Sequence, residues 1–142
     1  MKAQATFALL LAAPQIVFSQ AATQPARHES LKQEIRLAYD RGLAFLKSKQ
    51  NPETGQWGDA EPVAFTALAV TSLLLAPERK PSDPLPPEAE KGIAFLMKNV
   101  QPDGGIYVKA RANYNTSLAL TALMLAPSQE REATLLAARR FI

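Results

Sequence analysis

The chain has no cysteine and a single histidine, His28. Without cysteine there is no disulfide, no thiol nucleophile and no thiolate ligand for zinc. That lack leaves the compartment open, since many exported bacterial proteins carry no disulfide. His28 lies in a polar stretch near the N-terminus, where a solvent-exposed and inert role is expected. Val and Ile are few beside Ala and Leu, which disfavours a β-rich core. No dense run of one charge exists. The net charge is +3, and beyond the N-terminus the only adjacent basic pairs are Arg79-Lys80 and Arg139-Arg140. A nucleic-acid surface needs a denser basic stripe, so no nucleic-acid partner is expected.

What is present fits one folded domain. The chain has 142 residues, 47% of them hydrophobic and 20% charged, a balance found in globular proteins. Ala and Leu dominate the apolar set, and both favour helices. The first 21 residues read as a secretory signal peptide. Lys2 gives a positive start, and Phe7-Ala8-Leu9-Leu10-Leu11-Ala12-Ala13 is the apolar region, extended by Ile16-Val17-Phe18. Ser19 and Ala21 are the small residues before a cut at Ala21/Ala22. The run is too short to span a bilayer, which takes roughly 20 residues. Export to the periplasm or medium is therefore expected, with no membrane association after cleavage. Residues 22–29 are polar and expected to be a flexible leader.

The rest of the chain repeats itself with a shift of fifty positions. Gly42 meets Gly92, and Ala44-Phe45-Leu46 meets Ala94-Phe95-Leu96. Pro52 meets Pro102, Gly55 meets Gly105, and Trp57 meets Tyr107. Thr66 meets Thr116, and Leu75-Ala76-Pro77 meets Leu125-Ala126-Pro127. Repeat one covers 30–77, a Pro-rich linker 78–87, repeat two 88–127, and the start of a third repeat 128–142.

Each repeat holds two helical segments of different character. In the first, Ser30 and Gln33 form a capping-box pattern. Leu31, Ile35, Ala38, Gly42 and Leu46 then mark one helical face. In repeat two Pro87 suits a first helical turn, with Glu88 and Glu90 at the positive end. The second segments, Val63 to Ala76 and Thr116 to Ala126, are apolar almost all round. Such helices are expected to be buried on every side. Pro62 opens one, and Pro77 and Pro127 stop them. Amphipathic helices outside and apolar helices inside make a double-layered, all-α array.

Repeat one reads Arg41-Gly42-x-x-Phe45-Leu46, then Gln50, Gly55 and Trp57. Repeat two reads Lys91-Gly92-x-x-Phe95-Leu96, then Gln101, Gly105 and Tyr107, with the Gln one place later and Tyr for Trp. This pattern resembles the Gln-Trp repeat of squalene-hopene and oxidosqualene cyclases, over residues of about 38–127. The resemblance implies part of an α/α toroid of the terpene-cyclase and prenyltransferase type, here about two and a half repeats. It also implies that these motif residues brace outer helices and are not catalytic. Glycines permit close helix approach, the Gln amide serves free backbone groups, and the aromatic ring stacks on the turn.

The same resemblance shows what is missing. Those cyclases protonate an alkene or epoxide with an Asp-x-Asp-Asp motif. Here Asp40, Asp59, Asp83 and Asp103 stand apart from one another. Protonating a hydrocarbon takes an unusually strong acid held in an apolar cavity. The zinc site of protein prenyltransferases and the Cys and Gln of thioester proteins are excluded by the absence of cysteine. No catalytic residue, metal or cofactor is assigned.

Pocket-lining candidates remain. Asp59 and Glu61 stand at the mouth of an inner helix, where capping and favourable charge are the plainer roles. Tyr107, Tyr114 and Asn115 occupy the matching region of repeat two, where Asn113 or Asn115 is expected to cap the next helix. Beyond them Ser128 is read as the cap of a third outer helix, continued by Ala133, Ala137 and Phe141. The sequence then stops at Ile142 without an inner partner. It reads as the N-terminal part of a longer exported toroid protein. The rival reading is a non-catalytic scaffold binding a peptide, glycan or lipid, and a third is a polysaccharide-degrading toroid. Expected partners are the rest of the toroid or another copy, and an isoprenoid or other hydrophobic ligand.

Overall fold

The computed structural model describes residues 24–142, with side chains from His28 onward. The export signal read over 1–21 lies outside the described residues. The described chain is all-helical, with α1 Gln24–Lys49, α2 Pro62–Leu74, α3 Pro87–Lys98, α4 Ala112–Met124 and α5 Glu132–Phe141. A 3-10 turn, Gln129–Arg131, leads into α5. No described helix is long and apolar enough to cross a membrane.

Proline sets several boundaries. Pro62 and Pro87 each occupy the first helical position, where the missing N–H has no intrahelical partner to lose. α2 and α4 end at Leu74 and Met124, before Pro77 and Pro127. The start of α1 differs from expectation. The helix takes in the supposed leader from Gln24, and Pro25 falls within its first turn, where proline is tolerated. Ser30 therefore sits inside the helix, and its hydroxyl lies 3.4 Å from Glu34 Oε1 instead of capping. Ser128 does precede the 3-10 turn, but its side chain makes no cap bond.

α2 and α4 pack side by side, α3 lies on α2, and α5 lies on α4. The core gathers Trp57, Val63, Val70, Leu73, Ile93, Leu96, Ile106 and Leu123. Fully burying side chains of this size contributes about 1.5–3 kcal/mol each. α1 touches this core lightly. Tyr39 Oη donates to the Ser72 carbonyl at 2.5 Å, and Trp57 Nε1 donates to the Leu46 carbonyl at 2.7 Å. The expected apolar face of α1 is present, yet Leu31 and Ile35 are exposed.

The expectation that the apolar helices are buried on every side fails for both, on α4 at Met124, 63% exposed, and more widely on α2. Val63, Thr66, Val70 and Leu73 are buried, but Phe65, Leu68 and Leu75 are 44%, 45% and 59% exposed. α2 has neighbours toward α3 and α4 and little beyond, so one stripe stays uncovered.

The fifty-residue correspondence also slips by one in the turns. Trp57 N–H donates to Thr66 Oγ1 at 2.9 Å, and Ile106 N–H donates to Thr116 Oγ1 at 2.9 Å. Ile106, fully buried, thus takes the place of Trp57, and Tyr107 does not. The glycines follow the same slip. Gly55 and Gly104 hold φ of 79° and 88°, a left-handed region that glycine enters freely. A Cβ on Gly55 would lie 2.5 Å from the Lys91 carbonyl oxygen, and one on Gly104 would lie 3.0 Å from that of Ala137. Trp57 lies twelve positions after Phe45, whereas Ile106 lies eleven after Phe95. The segment from there to the threonine is one residue longer.

Candidate functional site

The bracing residues come first, because they are where the sequence pattern is densest. The Gln50 amide donates to the Gly55 carbonyl and to the Glu88 carbonyl, both at 2.9 Å. It closes its own turn and ties that turn to the start of α3. Trp57 is 4% exposed with both its N–H groups bonded. Gly92 lies under this ring, and a Cβ there would meet Val70 Cγ2 at 2.5 Å and Trp57 Cζ3 at 3.0 Å. Phe95 is buried beside them. Arg41 and Lys91 are exposed.

The second turn is braced differently. Gln101 donates to the carbonyls of Asn99 at 3.2 Å and Tyr107 at 2.8 Å, so it stays within its own turn. The Tyr107 ring reaches α5 instead, stacking on Phe141 with centroids 5.8 Å apart. Its hydroxyl donates to Asp103 Oδ2 at 2.6 Å, and Gly105 N–H donates to Asp103 Oδ1 at 2.9 Å. The Tyr107 hydrogen bond, then the Gly105 one, hold the Asp103 carboxyl below its ordinary value. The same bond to Asp103, helped by desolvation, pushes the Tyr107 phenol up.

The pocket-lining candidates divide. Asp59, Glu61 and Asn115 come together in a cleft of about 290 Å³ at the N-terminal ends of α2 and α4. Tyr107 is turned away as described, and Tyr114 stands half exposed on α4 outside this cleft. Glu61 occupies the position before α2 but makes no capping bond. Its carboxylate reaches across to the second helix pair, with Oε1 3.5 Å from Arg111 Nε and Oε2 accepting from Asn115 Nδ2 at 3.3 Å. Asn115, only 2% exposed, also donates to the carbonyls of Ala110 at 2.9 Å and Arg111 at 3.3 Å. Asn113 and Asn115 therefore do not cap α4. The residue before that helix is Arg111, at φ 54°. A left-handed non-glycine residue is uncommon, and here the Asn115 amide holds the preceding carbonyls in place. Asp59 is exposed and accepts from Gln56 Nε2 at 3.2 Å.

Lys109 and Val108 complete the cleft wall, and sequence reasoning missed them together with Arg111. The one available signal was an arginine immediately before α4 with an asparagine four residues on. Chemically the cleft offers carboxylate acceptors, one ammonium donor and an apolar wall from Val63 and Val108. The Glu61 charge is already engaged by Arg111, and Asp59 faces water. Neither is enclosed in an apolar cavity. Among the described residues no group of three or more His, Asp or Glu is placed to hold a metal ion. No protein-family model, curated protein or solved structure matches the chain.

Proposed function

We propose that this chain is a scaffold portion of an exported α/α toroid of the terpene-cyclase type, contributing helix-pair repeats rather than the reacting groups. One observation carries the reading. The motif residues Gln50 and Trp57 spend their donors on the main chain of neighbouring segments, as bracing residues would. The side-by-side packing of α2 and α4, with α3 and α5 on their flanks, supports the two-layered arrangement. The test is incubation of the purified chain with squalene. No cyclised product is expected, and any cyclised product overturns the reading. Export is tested on the secreted or periplasmic protein, whose mass is expected to begin at Ala22; an intact Met1 there overturns it.

A second reading is a scaffold that binds a polar group of a peptide or glycan. The cleft between Glu61, Lys109 and Asn115 favours it. Titration with short oligosaccharides or peptides, followed by the Asn115 side-chain amide resonance, is expected to move that signal if the cleft is the site. An unmoved signal on binding places the ligand elsewhere.

A further inference from the structure

The cleft at the N-terminal ends of α2 and α4 holds more hydrogen-bond acceptors than donors. The Asn115 amide has two hydrogens, and three acceptors lie within its reach. They are Glu61 Oε2 at 3.3 Å and the carbonyls of Ala110 at 2.9 Å and Arg111 at 3.3 Å. Asn115 borders the cleft at 2% exposure, and its own Oδ1 is buried with no donor among the described residues. A buried acceptor in that state is uncommon and costly. The lining also opposes the chain in charge. Asp59 and Glu61 against Lys109 leave one negative charge, whereas the whole chain carries +3. Among the described residues, a guanidinium already answers part of this deficit. Arg111 Nε stands 3.5 Å from Glu61 Oε1, with the Glu61 side chain 23% exposed and that of Arg111 67%. That is one long contact from a largely solvated side chain. The two-bond fork that guanidinium and carboxylate can form is shorter and stronger.

Resting on the second functional reading, in which this cleft takes a polar ligand, we propose that the ligand is a guanidinium group on an apolar stem. An arginine side chain and a free alkylguanidine share that chemistry. The paired N–H groups of the ligand take the Glu61 carboxylate, and the Arg111 side chain moves out into water. Glu61 is then served by the ligand, and the two Asn115 hydrogens match the two loop carbonyls. The stem lies on Val63 and Val108, as arginine stems lie on apolar surface. A planar group with five donors in a fixed fork suits a carboxylate better than a compact ammonium does. Arg111 is thus a displaceable occupant of the position that the ligand takes.

The test titrates the purified chain with n-butylguanidinium, n-butylammonium, neutral butyramide and a blocked arginine peptide, read at the Asn115 side-chain amide resonance. n-Butylguanidinium is expected to shift that signal saturably and more tightly than n-butylammonium, with butyramide inert. Tighter binding of the blocked peptide names a peptide arginine as the source, and tighter binding of n-butylguanidinium names a free guanidine. Glu61→Gln is expected to weaken binding about ten-fold or more, with helicity unchanged. Arg111→Asn removes the internal competitor with a residue that suits the left-handed φ. It is expected to tighten binding, by up to about five-fold, since an exposed pair is weak. Equal or tighter binding of n-butylammonium, an unchanged Glu61→Gln or a weakened Arg111→Asn overturns the proposal. A neutral oligosaccharide that moves the Asn115 signal when no guanidinium does overturns it and leaves the second reading standing. An Asn115 signal that no ligand moves removes both.

Discussion

The Gln50 amide and the Glu88 carbonyl meet at 2.9 Å, joining the turn after α1 to the first turn of α3 across 38 residues of chain. Gln101, its nominal counterpart, makes no such crossing. Gln50→Ala should therefore cost more than its exposure suggests, about 1–2 kcal/mol, because it leaves carbonyls of two segments without this donor. Urea unfolding measures it, and a change under a few tenths of a kcal/mol would reduce the bond to ornament.

Thr66 and Thr116 are both fully buried, and each accepts a main-chain N–H that has no other partner in its turn. Thr→Val at either site keeps the shape and orphans that N–H, costing about 1–3 kcal/mol. Thr→Ser keeps the acceptor and should recover the larger share. A Val variant near wild type beside a destabilised Ser variant would show that the methyl packing matters and the hydroxyl does not.

Glycine substitution should have opposite signs in the two outer helices. Gly92→Ala forces Val70 or Trp57 to move and should cost about 1–3 kcal/mol through overpacking. Gly42→Ala meets open space inside a helix and should stabilise by up to about 1 kcal/mol. Thermal melts of the two variants decide it. A destabilised Gly42→Ala would mean that this face of α1 is covered in solution.

Asp103 and Tyr107 give the fold a defined pH response. The folded Asp103 carboxyl titrates below its ordinary 3.8, so its contribution is complete above that value and is lost as pH falls through the folded value. Tyr107 titrates above 10.0 in the folded chain, so its contribution is present below 10.0 and is lost as pH rises through the folded value. Tyr107→Phe should return Asp103 toward 3.8, read by carboxyl NMR titration. An unmoved Asp103 would assign the effect to the Gly105 N–H instead.

The helices were legible because proline and periodicity act locally. Pro62, Pro77, Pro87 and Pro127 bracket three segments whose apolar spacing needs no tertiary information. The gathering of Asp59, Glu61 and Asn115 was legible in part, since all three flank inner-helix starts. Their partners were not. Capping was the expectation for Asn115, and only the left-handed turn at Arg111 makes its amide a tie between loop carbonyls. The one-residue slip that puts Ile106 in the place of Trp57 was hidden because an aromatic at position 107 gave the better letter match. The uncovered stripe on α2 was hidden for a different reason. An apolar face in a sequence states a demand for a neighbour and says nothing about whether one is there.

The slender attachment of α1 has a mechanical consequence. Its N-terminal part, up to Tyr39, meets the body mainly through the Tyr39 hydroxyl on Ser72 and an exposed ion pair between Arg36 and Glu78. Exposed pairs contribute about 0–1 kcal/mol, so little resists the lifting of this half away from α2. Amide hydrogens before residue 38 should then exchange by local opening, on a free-energy scale well below that of the α2–α4 core. The molecule behaves as a stiff block with a peelable arm, and force applied at the N-terminus would spend its first extension on α1 before the block yields.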